Sequence, residues 1–276
     1  MTGTRPHPTS LRFGCCGSMI APVADPVGAE IAERLASLGF DYLELSLRDL
    51  AALPEAARAA LAGRLRRAGI ACEACNNFFP PEIRLTGSAA DLAAALRYAE
   101  QALAAAAQLG ATIVVFGSSG ARNVPAGFPS AEAWVQLRTL LLGLGPIAAR
   151  HGITLAIEPL NRGESNIINS VAEGWRLMRE VGHPQVRLLA DAYHLRQENE
   201  RPAILTEAAR DLVHVHVAQG AGRLFPTGDD AALRDFFDHL RAAGYGGRCS
   251  VEALTQDFAA DARRALATCR SLAAPR

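Results

Sequence analysis

The sequence predicts a single (β/α)₈ barrel, or TIM barrel, in which residues 1–276 form one domain. Short apolar runs alternate with longer amphipathic or alanine-rich stretches along the whole chain, as strands and helices do around a parallel sheet. The apolar runs are nearly continuous, which is typical of strands that are buried on both faces. The length of 276 residues suits one barrel, and no linker rich in Ser or Gly divides the chain.

Eight apolar runs are predicted to be strands. In chain order they cover residues 11–15, 42–47, 71–75, 112–116, 154–158, 186–191, 212–217 and 249–254. A doubly wound open sheet would show the same alternation of strands and helices. However, the first strand-to-helix turn, at residues 14–17, lacks the G-x-G-x-x-G fingerprint of such folds, so the barrel is the favoured architecture.

Polar residues between the runs predict where helices begin and end. Ser170 and Glu173 form a capping-box pattern, in which both side chains accept hydrogen bonds from free amides at the start of a helix. Gly182 predicts the end of that helix, because glycine readily adopts the left-handed conformation found there. Two weaker start signals have the same spacing, Ser88 with Asp91 and Thr227 with Asp230.

The composition predicts a cytoplasmic protein that binds neither nucleic acid nor membrane. Lys plus Arg and Asp plus Glu both number 28, so the formal net charge is zero. This balance gives no support to a nucleic-acid or membrane-surface partner, since both rely on excess positive charge. The chain lacks a run of roughly 18 apolar residues that would span a bilayer. Residues 1–10 lack the apolar core of a signal peptide.

Five of the six cysteines lie in or beside predicted buried strands or helices, where a free thiol behaves as a small hydrophobic side chain. Cys72 and Cys75 form a C-x-x-C pair, which is a motif of redox sites and of half a zinc site. In a regular strand, two residues three apart point to opposite faces. We therefore expect these two thiols to lie apart, and no second pair is present to complete a zinc site.

The last four predicted strands each end close to a side chain that can bind a divalent cation. These side chains are Glu158, Asp191, His216 and Glu252, one from each strand. In barrel enzymes the functional residues lie at the C-terminal ends of the strands, where these four would converge. Three carboxylates on one rim repel each other unless a cation lies between them. The set therefore predicts that one divalent ion is bound. Mn²⁺ is the preferred ion, and Co²⁺, Mg²⁺ and Zn²⁺ are alternatives.

Two structural interpretations stay open for these residues. A strand-end carboxylate can be held by backbone amides or by an arginine instead of a metal. His214 lies two residues before His216 and faces the same side of the strand, but deeper in the barrel. It is either a hydrogen-bonded core histidine or a residue that supports the metal ligands.

Several motifs in the second half of the chain resemble a known family. They are E-P-L-N-R-x-E at residues 158–164, D-x-x-H at Asp191 and His194, H-x-H at His214 and His216, R-x-x-P-x-G from Arg223, and the strand-eight glutamate Glu252. With these motifs the chain resembles the xylose isomerase-like barrel superfamily, and within it the D-tagatose 3-epimerase and D-psicose 3-epimerase group. Over the first half of the chain the likeness is only architectural.

The resemblance implies a metal-dependent isomerase or epimerase that acts on a small carbohydrate through a cis-enediolate. Glu158 and Glu252 would then be both metal ligands and the catalytic acid–base pair. Glu164, His194 and Arg223 would bind the substrate, although the planar fork of an arginine also suits a phosphate or a carboxylate. A homo-oligomer would fit the resemblance, since members of the family often form dimers or tetramers.

The chain departs from the ketose epimerases in the loops that shape the substrate pocket. Gln219 stands where that group usually has an acidic residue, three positions after the metal-binding histidine, and the loop that follows is one residue longer. The loops at residues 76–80 and 117–125 also differ from those of the group. The sequence therefore leaves the identity of the sugar undefined.

Other functions are compatible with the same rim of residues. A hydroxypyruvate-type isomerase, or an inosose or dehydroshikimate dehydratase, would use a similar metal site. A barrel that binds a sugar or a metal without turnover would show the same residues. An AP endonuclease is disfavoured, because that branch has additional zinc-binding histidines on the loops after strands three and four. Those loops here begin with Asn76, Asn77, Phe116 and Gly117.

Overall fold

The computed structural model describes residues 11–22 and 24–275, and it contains a closed barrel of eight parallel strands in chain order. The strands are β1 (Arg12–Cys16), β2 (Tyr42–Ser46), β3 (Ala71–Asn76), β4 (Ile113–Phe116), β5 (Thr154–Ile157), β6 (Val186–Asp191), β7 (Leu212–Val217) and β8 (Arg248–Val251). The ladder between β1 and β8 closes the barrel. The (β/α)₈ barrel prediction is therefore confirmed. One domain over residues 1–276 stays a prediction.

Every predicted strand is present, and the boundaries differ by at most three residues. The largest difference is in β8, which was predicted to run to residue 254 but ends at Val251. Beyond it, Leu254 forms an isolated bridge with Leu224 from the loop after β7. Because β5 ends at Ile157 and β8 at Val251, Glu158 and Glu252 are the first residues after these strands. Their side chains therefore lie at the C-terminal end of the barrel.

Helices surround the barrel between successive strands. They are α1 (Ala32–Leu38), α2 (Leu47–Ala52), α3 (Glu55–Ala68), α4 (Leu92–Gln108), α5 (Ser119–Arg122), α6 (Ser130–Arg150), α7 (Val171–Val181), α8 (Ala192–Gln197), α9 (Ala203–Glu207), α10 (Ala231–Ala242) and α11 (Phe258–Ala273). None of the helices in the described part of the chain is long and apolar enough to cross a membrane.

The helix α7 begins and ends as predicted. The Ser170 hydroxyl accepts a hydrogen bond from the Glu173 amide at 3.1 Å, and Gly182 follows the helix with a φ of 65°. The Glu173 carboxylate, however, accepts from the amide of Asn169 at 2.7 Å. The carboxylate thus reaches one residue further back than a capping box requires.

The start signals at Ser88 and Thr227 were wrong by three residues. The capping residue of α4 is Asp91, which accepts from the amide of Ala94 at 2.9 Å. The capping residue of α10 is Asp230, which accepts from two amides of the first turn. In both cases the second polar residue of the pair is the cap, because its carboxylate accepts hydrogen bonds from the first-turn amides.

A bulge in β3 overturns the expectation that Cys72 and Cys75 lie apart. The pairing with β2 shifts after Leu43, so that Glu73 is the extra residue of β3. An extra residue reverses the alternation of side chains that follows it. Both thiols are therefore buried on the same side of the strand, with 3.7 Å between their sulfur atoms.

The same bulge directs Glu73 across the N-terminal end of the barrel. Its Oε2 accepts hydrogen bonds from Nε of Arg12 at 3.3 Å and from Nε of Arg248 at 2.7 Å. These arginines are the first residues of β1 and β8, so the two ion pairs join β1, β3 and β8 at the N-terminal end of the barrel. Charged residues at this end of a TIM barrel contribute to stability, while the chemistry takes place at the opposite end.

Small and apolar side chains fill the middle of the barrel. This inner cluster consists of Tyr42, Ala74, Ile113, Val115, Ala156 and Leu189. A Cβ atom at Gly14 would lie 2.6 Å from Cδ2 of Tyr42, so the glycine makes room for the tyrosine ring. The larger hydrophobic core lies outside the barrel, between the strands and the helices.

Candidate metal centre and active site

The barrel brings Glu158, Asp191, His216 and Glu252 together at the C-terminal ends of the strands. Each offers a ligand atom, and these atoms all lie within 4.8 Å of one another. The register explains part of the convergence, because Asp191 pairs directly with His216. All four side chains are buried.

His216 lies at the centre of the group. Its Nδ1 is 3.0 Å from Oε1 of Glu158 and 3.1 Å from Oε2 of Glu252. Asp191 uses Oδ1 to accept the amide of Tyr193 at 2.8 Å, which caps α8. Its Oδ2 is buried and makes no hydrogen bond within the described residues. One oxygen of this carboxylate therefore has a structural role, while the other is available to a cation.

The surroundings shift the pKa values of the two glutamates in opposite directions. Burial and the nearby charge of Glu252 raise the pKa of Glu158. Burial would also raise the pKa of Glu252, but His216 and Arg223 outweigh it and hold that pKa below its usual range. Burial opposes protonation of His216, yet the surrounding carboxylates raise its pKa well above the usual value. The group thus retains a proton where a divalent ion would fit.

Arg223 points into the group from a strained backbone position. Its φ of 52° lies in the left-handed region, which is uncommon for residues other than glycine. Its Nη2 contacts Oε2 of Glu252, its Nη1 is 3.3 Å from Oε1 of Glu164, and its guanidinium carbon is 5.0 Å from the centre of the Tyr193 ring. Its Nη2 also lies 3.5 Å from Oδ2 of a third carboxylate, Asp191.

His194 and Glu164 lie on either side of Asn161. Nδ1 of His194 faces the amide of Asn161 at 3.2 Å and its side-chain nitrogen at 2.8 Å, so Nδ1 is an acceptor. With Nδ1 as the acceptor, Nε2 carries a hydrogen; this nitrogen is buried, lies 3.5 Å from Oδ2 of Asp191 and makes no hydrogen bond within the described chain. Oε1 of Glu164 accepts from the Asn161 side chain at 3.1 Å. The three predicted substrate-binding residues are therefore linked, His194 to Glu164 through Asn161 and Glu164 to Arg223 directly.

Two further residues of the site were missed by the sequence analysis. Asn76, the last residue of β3, donates from Nδ2 to Oε1 of Glu252 at 3.0 Å. Glu44, in the middle of β2, is fully buried and faces Nε2 of His216 at 3.1 Å. The strand-end position of Asn76, and a carboxylate inside an otherwise apolar strand, were the signals that could have found them.

The loop after β4 shapes the space around Glu158. A Cβ atom at Gly117 would overlap Oε2 of Glu158 and lie 3.1 Å from its Cδ. Arg122 is fully buried nearby and donates from Nη1 to the carbonyl oxygen of Phe116 at 2.9 Å. Burial lowers the pKa of Arg122 to about 10.

Gln219 has a structural role in the loop after β7. Its side-chain oxygen accepts hydrogen bonds from the amides of Thr227 and Gly228, at 2.8 and 3.1 Å. A carboxylate could accept the same bonds, so the amide can replace an acid here without loss of these contacts.

The chain is similar in sequence to several sugar epimerases. It is 28% identical over 177 residues to L-ribulose 3-epimerase of Mesorhizobium japonicum, covering 62% of this chain and 59% of that protein. It is 34% identical over 105 residues to 3-dehydro-D-guloside 4-epimerase of Escherichia coli, covering 38% and 40%. These two matches span less than two thirds of either relative. A third, to ketose 3-epimerase of Arthrobacter globiformis, is 24% identical over 269 residues and covers 95% and 90%.

Solved structures share the fold. D-allulose 3-epimerase from Methylomonas sp., in complex with D-allulose, superposes with a TM-score of 0.85 at 22% identity, covering 98% of this chain and 99% of the other. A D-psicose 3-epimerase crystallised with D-fructose gives a TM-score of 0.83 at 22% identity, covering 95% and 99%. The sequence of residues 32–272 matches the family described as xylose isomerase-like TIM barrel. The chain therefore belongs to the xylose isomerase-like TIM barrel family.

Proposed function

We propose that the chain is a metal-dependent epimerase of a free ketose, which inverts the carbon next to the carbonyl group. The observation that carries the proposal is the pair of buried glutamates, Glu158 and Glu252, on either side of His216 Nδ1. Two carboxylates on opposite sides of a bound substrate can remove a proton and return another. The ketose epimerases among the relatives support the same reaction class.

The residues of the site fit one divalent ion. Glu158, Asp191, His216 and Glu252 would hold it, and Oδ2 of Asp191, which makes no hydrogen bond within the described residues, is available as a ligand. Three carboxylates and one imidazole suit Mn²⁺ best, with Co²⁺, Mg²⁺ and Zn²⁺ as alternatives. When bound, the ion would supply the positive charge that stabilises a cis-enediolate.

The two glutamates divide the proton transfer between them. Glu252 is held as a carboxylate by Asn76 and Arg223, so it is the proton acceptor. Glu158, which contacts the same nitrogen of His216 as Glu252 does, is the proposed proton donor. Removal by Glu252 and return by Glu158 on the opposite face of the carbon would give the epimer. The reverse reaction exchanges the two roles.

Arg223, His194 and Glu164 would bind and orient the sugar. The Nε2–H of His194, which makes no hydrogen bond within the described residues, would donate to a substrate oxygen, and Glu164 can accept from a hydroxyl. The charge of Arg223 is already balanced by Glu252, Glu164 and Asp191. Because acidic groups surround Arg223, we propose an uncharged sugar rather than a sugar phosphate.

Solvent-proton exchange tests this function directly. The Mn²⁺-loaded protein is incubated in D₂O with a panel of free ketoses, and deuterium at the carbon next to the carbonyl is followed by NMR. We expect exchange with at least one ketose, together with formation of its epimer. Glu252→Gln and Glu158→Gln should abolish exchange, whereas Glu180→Gln on the surface of α7 should not.

Three results would contradict the proposal. A product that lacks one water would indicate a dehydratase. Absence of exchange on every ketose, with the metal shown to be bound, would indicate another substrate or a binding protein. Full exchange in Glu252→Gln would remove this glutamate from catalysis. Because Glu252 is also a proposed ligand, the metal content of each variant is measured in parallel.

A further inference from the structure

A buried carboxylate lies beneath the proposed metal centre, and the proton transfer described above does not use it. Glu44 projects from β2 into the barrel and is completely buried. The neighbouring interior positions hold side chains such as Ile113, Val115 and Leu189. A carboxylate is a costly way to fill such a layer unless its oxygens have specific partners.

Both oxygens of Glu44 have partners from other strands, β7 and β8. Oε2 accepts from the hydroxyl of Ser250 at 2.6 Å and faces Nε2 of His214 at 2.8 Å. The hydroxyl of Tyr42 lies 2.8 Å from that of Ser250 and extends the network. With Oε2 held in this way, Oε1 is directed at Nε2 of His216, 3.1 Å away.

The two ring nitrogens of His216 therefore face different groups. Nδ1 faces Glu158 and Glu252, where the ion would bind, and Nε2 faces Glu44. A nitrogen that binds a metal must present a lone pair, so the single hydrogen of the neutral ring must be on the other nitrogen. An ionised carboxylate only accepts hydrogen bonds, which favours the hydrogen on Nε2.

We propose that Glu44 is a positioning residue, which holds the hydrogen of His216 on Nε2 and thereby directs the Nδ1 lone pair at the metal. Ser250 and His214 hold Glu44 in the orientation that this requires. The inference rests on the proposed metal centre, since it assigns a purpose to one of its ligands. Partners of this kind fix the ring orientation of a histidine ligand and strengthen its binding to the metal.

Metal affinity in three variants tests the proposal. Glu44→Leu replaces the acceptor with an apolar side chain of similar size, like those at the neighbouring interior positions. We expect its Mn²⁺ affinity, measured by calorimetry, to fall on the order of 10- to 100-fold. Glu44→Gln keeps one oxygen acceptor without the charge and should lie between Glu44→Leu and the wild type. Ser250→Ala disturbs the same network but leaves the contact between Glu44 and His216, so its affinity should stay close to that of the wild type.

A spectroscopic measurement separates positioning from simple packing. In the Zn²⁺-loaded protein labelled with ¹⁵N-histidine, NMR shows which ring nitrogen of His216 carries the hydrogen. We expect it on Nε2 in the wild type, protected from solvent exchange, and less protected in Glu44→Gln. A variant of His216 assigns the signal.

The outcomes distinguish this proposal from the one on which it rests. A wild-type protein that binds neither Mn²⁺ nor Zn²⁺ would remove the metal centre itself. Normal affinity in both Glu44 variants, a loss in Ser250→Ala as large as in Glu44→Leu, or a hydrogen on Nδ1 would overturn the role of Glu44 alone. If Glu44→Leu does not fold, Glu44→Gln and the wild-type spectrum decide the question.

Discussion

Arg223 binds Glu252 through two groups at once. Its Nε donates to the main-chain oxygen of Glu252 at 3.2 Å, and its Nη2 contacts the carboxylate of the same residue. The second contact is a charge-assisted hydrogen bond, and the planar fork of the guanidinium fixes the carboxylate relative to its own backbone. In the proposed reaction, this arrangement would set the direction from which Glu252 approaches the substrate.

Replacement of the fork by a single charge should impair catalysis more than metal binding. We expect Arg223→Lys to lower kcat/KM on the order of 100-fold, because an ammonium group cannot hold both oxygens in place. Steady-state kinetics on the ketose identified by deuterium exchange measure the effect. Arg162→Lys, an exposed arginine paired with Glu198, is the control and should behave as the wild type. Equal loss in both variants would contradict the assignment.

Metal binding should release protons and strengthen as the pH rises. Burial acts to lower the pKa of His216, but its carboxylate neighbours raise it well above the usual value, so the metal-free ring is protonated at neutral pH. An ion must displace the proton on Nδ1, and its affinity therefore falls as the pH is lowered. Calorimetry in buffers of different ionisation enthalpy counts the released protons. A binding heat that is the same in every buffer would show that no proton is displaced.

Removal of Asn76 should shift the acidic limb of the pH–rate profile. Asn76 donates to the carboxylate of Glu252, and loss of a donor to the charged form raises a carboxyl pKa. We expect Asn76→Ala to move the acidic limb of kcat/KM to higher pH and to lower its plateau about 10- to 100-fold. Asn166→Ala provides the control, since its side chain bonds the main chain of Val124 and does not contact Glu252 in the described residues. An unmoved limb in Asn76→Ala would contradict the role of this contact.

Asp230 should stabilise the protein by capping α10 and fastening the loop after β7. Its carboxylate accepts the amides of Ala232, Leu233 and Gly220 and pairs with Arg196. We expect Asp230→Ala to lower the free energy of unfolding by about 1–2 kcal/mol, measured by urea denaturation. Asp230→Asn keeps an oxygen acceptor and should lose less.

The stabilisation by Asp230 should depend on pH with a defined sign. Burial acts to raise its pKa, but the backbone amides and Arg196 lower it below the usual 3.8. A carboxylate with a lowered pKa stabilises the folded state above its ordinary pKa and loses that effect as the pH falls. The difference between wild type and Asp230→Ala should therefore shrink below about pH 4. A constant difference down to pH 2 would contradict an ionic contribution.

The barrel and the four converging residues could be predicted because their signals are local. Each strand is a short apolar run, and Asp191 or Glu252 is a charged residue at the end of such a run. The fold then places all strand ends at one rim. Local patterns thus suffice when the architecture is regular.

Features that depend on pairing between distant strands could not be predicted in the same way. The partners of Glu44 come from β7 and β8, about two thirds of the chain away, and no spacing in the sequence joins them. The bulge at Glu73 arises from the register with β2, so the side on which Cys72 and Cys75 lie follows from that pairing. The hydrogen bond from Asn76 to Glu252 depends likewise on the closure of the barrel.

A substitution at Gly117 in the loop after β4 would disturb the proposed active site without disturbing the fold. An added methyl group would press on one carboxylate, that of Glu158, while the strands and helices around it need not change. A population of variants screened only for solubility or thermal resistance would therefore accumulate alanine at this position unnoticed. A library that randomises the loop after β4 to change the sugar specificity should therefore keep glycine at residue 117, because every other residue has a Cβ atom that would overlap the Glu158 carboxylate.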